Sequence, residues 1–253
     1  MSQASLQFAK DVSAKANDAW LSGEYLEQVT PTTKQLLTYW FGDQYCENRE
    51  LNFHEGQRQA ILNIIYLHEV LKTKNIFEAY EQIAPDLLLR SEGGLAEISK
   101  TKYSHPKYAI KMATGTGKTW VLSATLIWQY LNAKHEDGNF TKNFLIVAPG
   151  LIVYERLLDA FLGKEREGGD GRDFESSDIF HTQDLFLPES YREEIFGFFK
   201  SSVVVKEEIG SKVTGDGLVA VTNWHLLAGV TEDASEEIES PGEIDPVSVM
   251  KSI

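Results

Sequence analysis

The sequence predicts an α/β fold, a parallel sheet with helices on both faces, and three stretches carry that prediction. Lys111-Met112-Ala113-Thr114-Gly115-Thr116-Gly117-Lys118-Thr119 lies between a short apolar run (Tyr108, Ala109, Ile110) and a long periodic one from Trp120 to Leu131. This is the order strand, glycine loop, helix. Phe144 to Ala148 is continuously apolar, as expected of a strand buried on both faces, and Pro149-Gly150 ends it before a second helical run, Leu151 to Leu162. Leu218 to Thr222 reads as a further core strand. Strands alternating with helices demand parallel connections and hence a doubly wound layer.

Taken in order, residues 1–50 read as an accessory helical segment, and residues 51–253 as the α/β domain. Ser2 to Leu21 is rich in Ala, Lys and Gln, which favour helix. Thr30-Pro31 is a helix start, with a capping hydroxyl and then proline at the first turn, and Gly42 is the expected stop. The next helix opens in the stretch Leu51 to Ile61 and keeps apolar spacing through Ile61, Ile64, Ile65, Leu67 and Leu71. Gln57 stands at its start. A side-chain amide there can cap the helix, or read an adenine edge by donating and accepting together, and the local sequence leaves both open. A helix is predicted over 76–83 and a turn at Ser91 to Gly94. Tyr108 to Met112 is expected as a core strand. Residues 163–178 read as a charged, exposed loop and 191–199 as a short helix. Val203-Val204-Val205 is a strand fragment, but Lys206 follows it where a metal-holding Asp would be required, so it is no Walker B strand. His225 follows the last strand as an ordinary hydrogen-bonding histidine.

The central loop has the chemistry of a phosphate cradle. Gly115 and Gly117 permit a tight bend that turns N–H groups inward, and the helix beginning there adds its positive dipole end. Lys118 is placed to reach terminal phosphates and Thr119 to put its hydroxyl on Mg²⁺. Met112 stands where the general pattern has glycine.

Composition narrows the class further. A chain of 253 residues with 42% hydrophobic and 25% charged residues suits one α/β domain with an accessory segment. No apolar run approaches a membrane span and no signal-peptide pattern opens the chain. Cys46 is the only cysteine, so no internal disulfide can form, and a reducing cytoplasm is the expected compartment. A net charge of −14 argues against a general nucleic-acid binder, while allowing a motor that grips a backbone through a few loops. Residues 231–253 carry seven acids against one base, Lys251, and read as a solvated acidic run.

Together these stretches resemble superfamily 2 helicase ATPases of the DEAD/DEAH-like kind, most closely the restriction subunit of type III restriction enzymes. Gly56-Gln57-Arg58-Gln59-Ala60-Ile61 is similar to the adenine-reading Q-like motif, Met112 to Thr119 to motif I, Leu145 to Leu151 to motif Ia, and Ala220 to His225 to the Ib region. The resemblance implies a RecA-like P-loop domain that binds ATP and Mg²⁺ through Thr114, Gly115, Thr116, Gly117, Lys118, Thr119 and Gln57. Pro149, Gly150 and Thr222 would then touch a DNA backbone. It implies a translocase on double-stranded DNA, partnered by a methyltransferase subunit. The family's acidic motif II is not found after Thr222, so the chain is expected to be an N-terminal portion that lacks catalytic residues and turns over little ATP alone. An RNA helicase of the same superfamily, or a non-catalytic remnant that binds a partner, are the competing expectations.

Overall fold

The computed structural model describes residues 3–90, 105–169, 171–209, 211–212 and 214–224. The turn expected at Ser91 to Gly94, His225 and the acidic run over 231–253 lie outside them. The chain divides into two compact units, Met1–Thr125 and Leu126–Ile253.

The first unit is helical. α1 (Gln3–Ser22) and the short α2 (Glu24–Glu27) precede α3 (Pro31–Phe41). The predicted punctuation of α3 is realised: the Thr30 side chain accepts from Thr33 N–H, Pro31 opens the first turn, and Gly42 N–H closes onto Thr38 C=O. Gly42 serves by close approach and not by a left-handed turn, since a Cβ there would press on Thr38 C=O. α4 (Asp43–Cys46) follows. α5 (Glu55–Ile65) runs on as a π-helical turn over Tyr66–Val70, and α6 (Ile76–Ile83) and α7 (Pro85–Arg90) complete the layer.

The core of this unit holds Leu36, Leu37, Trp40, Ile61, Leu62 and Ile65, all at most 2% exposed. α1 lies on α5 through a polar seam in which Asn63 donates to Ser13 Oγ (2.9 Å) and Asn17 to Gln59. Tyr25 crosses the core to donate its hydroxyl to Leu62 C=O at 2.6 Å. Burial first, and then the nearby Glu69, push the Tyr25 phenol well above its ordinary range. Glu69 itself is buried on the π-helical turn, where it accepts from Thr30 N–H (2.9 Å) and Thr33 Oγ1 (2.5 Å). A carboxylate at the N-terminus of α3 completes the cap and faces the positive end of the helix dipole.

α8 (Lys118–His135) begins in this unit and ends in the second. The second unit holds β1 (Asn143–Ala148), α9 (Leu151–Leu162), the two-residue strands β2 (Lys164–Glu165) and β3 (Arg172–Asp173), α10 (Asp178–His181) and α11 (Gln183–Phe186), α12 (Arg192–Ser202), β4 (Val203–Val204) and β5 (Leu218–Asn223). Its sheet is parallel in the order β1-β5-β4, with Asn143 opposite Leu218 and Val203 opposite Val219. α9 and α12 pack on β5 and on each other, their facing rings Phe161 and Phe199 stacked with centroids 5.4 Å apart. Tyr130 of α8 stacks on Phe198, which also meets Phe144 of β1.

Three expectations need correction. Tyr108 to Met112 forms no strand: no residue of 106–113 has strand structure, and Tyr108 and Ile110 are 39% and 44% exposed. A strand's hydrogen bonds go to a neighbouring strand, and among the described residues none pairs with this segment. β1 is not buried on both faces. It is the edge of the described sheet with Val147 40% exposed, whereas β5, buried along nearly its whole length, is the central strand. The charged stretch after α9 is not only loop. Its β2–β3 pair is antiparallel, and Arg172, 13% exposed, is held by Asp159 (2.7 Å), Glu155 (2.8 Å) and Gly163 C=O (2.9 Å).

Candidate nucleotide-binding site

The glycine loop bends as its residues require. Gly115 and Gly117 have φ of 79° and 72°, the left-handed region that costs a side-chain-bearing residue about 1–2 kcal/mol. Ala113 C=O gathers the turn, accepting from Thr116 Oγ1 at 2.7 Å and from the Lys118 ammonium at 2.8 Å. Lys118 is thus folded back onto its own loop. Thr114, Gly115 and Lys118 are exposed, and Thr119 is half-buried in the first turn of α8. Gly117 C=O accepts Trp120 N–H at 2.9 Å and starts the helix. The first N–H groups of α8 have no intrahelical acceptor and are available to an anion.

A second element grips this loop. His54 caps α5: its Nδ1 accepts Gln57 N–H at 3.3 Å, while Gln57 Oε1 accepts His54 N–H at 3.0 Å, closing a reciprocal capping box. The other end of each side chain goes to the loop. Gln57 Nε2 donates to Thr116 C=O (3.3 Å) and Gly117 C=O (3.4 Å), and His54 Nε2 lies 2.9 Å from Thr116 C=O. Both glycines that flank these contacts make room for them. A Cβ on Gly117 would overlap Gln57 Nε2, and one on Gly56 would come within 3.2 Å of the His54 ring. Phe53 adds an edge-to-face contact with Trp120, ring centroids 6.3 Å apart, and through Phe41 and Trp40 continues into α3.

The structure therefore brings Gln57 and the loop residues Thr114 to Thr119 together within one unit. Of the two readings open for Gln57, the cap is realised. The side chain is 2% exposed with both ends of its amide engaged, so in this conformation it offers no edge to an adenine. Sequence alone does not single out His54, because histidine is not among the usual N-cap residues; its position three residues before Gln57 is the one local signal.

The residues expected at a nucleic-acid backbone lie at the same end of the sheet but differ in exposure. Pro149 is exposed and Gly150 half-buried beyond the C-terminal end of β1. Thr222 is fully buried in β5, opposite Val147, and its hydroxyl points to Asn223 C=O (3.5 Å), which encloses it in the sheet. Cys46 is free; its thiol sits by Trp40 C=O and the Arg49 guanidinium, both at 3.5 Å. Among the described residues no cluster of His, Cys, Asp or Glu could hold a metal ion, and no helix is long and apolar enough to cross a membrane.

The parallel sheet of the second unit sets the fold class as α/β, and in the first unit a glycine-bent loop opens a long helix as in P-loop proteins. The particular family follows from comparison: residues 50–201 match the type III restriction enzyme, res subunit (ResIII) family, and the chain belongs to it. The family is a helicase-like ATPase domain related to superfamily 2. The matched span contains His54, Gln57, the loop and Pro149-Gly150, while Thr222 lies beyond it. Neither the curated proteins nor the solved structures compared with the chain gave a match.

Proposed function

We propose that this chain is the ATP-binding part of a DNA translocase of the type III restriction kind. The observation that carries the reading is the bend of Gly115 and Gly117 into the start of α8 with the Lys118 ammonium inside the loop, in a chain of the ResIII family. The donors fit a magnesium-bound nucleoside triphosphate. Lys118, released from Ala113 C=O, supplies positive charge to the terminal phosphates. Backbone N–H groups of Thr114 to Thr119 donate to phosphate oxygens, and the Thr119 hydroxyl is the ligand for Mg²⁺. Gln57 acts by holding Thr116 and Gly117 C=O away from the phosphates, a supporting role in place of base reading. Bound ATP would supply the free energy for movement on DNA. Pro149, exposed, and Gly150, half-buried, at the carboxyl end of the sheet where α/β folds present ligands, are the surface offered to the DNA backbone. A methyltransferase subunit as partner and a cytoplasmic location belong to the same proposal.

The test is calorimetric titration of MgATP into the folded wild-type chain and into Lys118→Ala. Binding to the first and loss in the second is the expected result. Equal binding by both, or none by a folded wild type, removes the nucleotide reading.

A further inference from the structure

We propose that His54 is a positioning residue for the phosphate loop, holding Thr116 C=O through an Nε2–H donor while its Nδ1 caps α5. The inference deepens the nucleotide-binding reading above and rests on it. Its partners assign the tautomer. Nδ1 faces the Gln57 N–H donor and must accept, and Nε2 faces a carbonyl and must carry the proton. One neutral ring therefore bridges two segments 62 residues apart in sequence, and its two bonds cannot be exchanged. Gly56 permits the ring's position, because it leaves the space over the first turn into which the ring folds. The carbonyl that His54 holds belongs to the residue between the two left-handed glycines. Turning Thr116 C=O toward the α5 side directs that peptide's oxygen away from the concave face, where an anion would be repelled by it. Gln57 grips the same carbonyl at 3.3 Å, but it is buried and part of the helix cap. His54 is exposed and is itself the cap residue, so a substitution that keeps an acceptor for Gln57 N–H alters this contact alone.

The variant His54→Asn separates the two roles. Asparagine is among the best N-cap residues and retains an acceptor for Gln57 N–H, but it is too short to cap and reach Thr116 together. Its unfolding midpoint is expected to stay near that of the wild type, while MgATP binding weakens about 2- to 10-fold, the range that one net hydrogen bond represents. His54→Ala loses cap and latch and falls in both measurements. Long-range ¹H–¹⁵N spectra of the wild type are expected to show the Nε2–H tautomer, with ring signals that move on adding MgATP. If Lys118→Ala abolishes binding while His54→Asn binds as wild type, the positioning role falls and the nucleotide reading stands. An Nδ1–H tautomer likewise overturns it. A folded wild type that binds no MgATP removes both.

Discussion

Gly115 and Gly117 share a left-handed backbone, yet alanine should be tolerated very differently at the two positions. A Cβ on Gly115 meets nothing within 4 Å, so Gly115→Ala is expected to cost only the backbone strain of about 1–2 kcal/mol. At Gly117 the same strain is joined by overlap with Gln57 Nε2, an atom of a side chain only 2% exposed. The amide must then swing out, abandoning Thr116 and Gly117 C=O and the reciprocal bond from His54 N–H. Losing these part-buried hydrogen bonds costs about 1–3 kcal/mol more, so Gly117→Ala should lose about 2–5 kcal/mol. Urea unfolding followed by far-UV circular dichroism would measure both. A double mutant sharpens the test: with Gln57→Ala the overlap disappears, and the two substitutions together should cost less than their sum. Equal costs at Gly115 and Gly117, or strict additivity with Gln57→Ala, would refute the interlock.

Two further outcomes probe each unit. Glu69→Ala strips acceptors from Thr30 N–H and Thr33 Oγ1 and should destabilise by about 1–3 kcal/mol, read as a lowered melting temperature; an unchanged melt would show that the buried carboxylate does not anchor α3. In the second unit, hydrogen bonds from Lys134 and then Lys142 hold the Asp216 carboxyl at about 2, below its ordinary 3.8. Its folded value is the lower, so the stabilisation is present above the ordinary value and is lost as pH falls toward 2. Asp216 is 41% exposed, so solvent screens the cluster, and Asp216→Asn should cost at most about 1 kcal/mol at neutral pH, shrinking in acid. An acid-denaturation profile identical in wild type and Asp216→Asn would exclude that linkage.

Some parts of the molecule were legible residue by residue. Thr30-Pro31 and Gly42 bracket α3, the run Leu151 to Leu162 is α9 without adjustment, and the loop glycines adopt the backbone that their chemistry permits. A helix closes its hydrogen bonds within five residues and a glycine turn within four, so the information lies inside a short window of sequence. Tyr108 to Met112 carries the apolar pattern of a strand but lacks a partner among the described residues, and Phe144 to Ala148 reads as deeply buried but lies at a sheet edge. Strand formation and strand burial depend on which distant segment lies alongside, and no local pattern states that. The same holds at the loop. Sequence could place Gln57 at a helix start and Lys118 after Gly117, but tertiary structure decided that Gln57 turns to the carbonyls of Thr116 and Gly117 and His54 to that of Thr116. A side-chain amide or an imidazole bonds whatever group the fold brings within 3 Å or so, and that neighbour is chosen by packing across some 60 residues of chain.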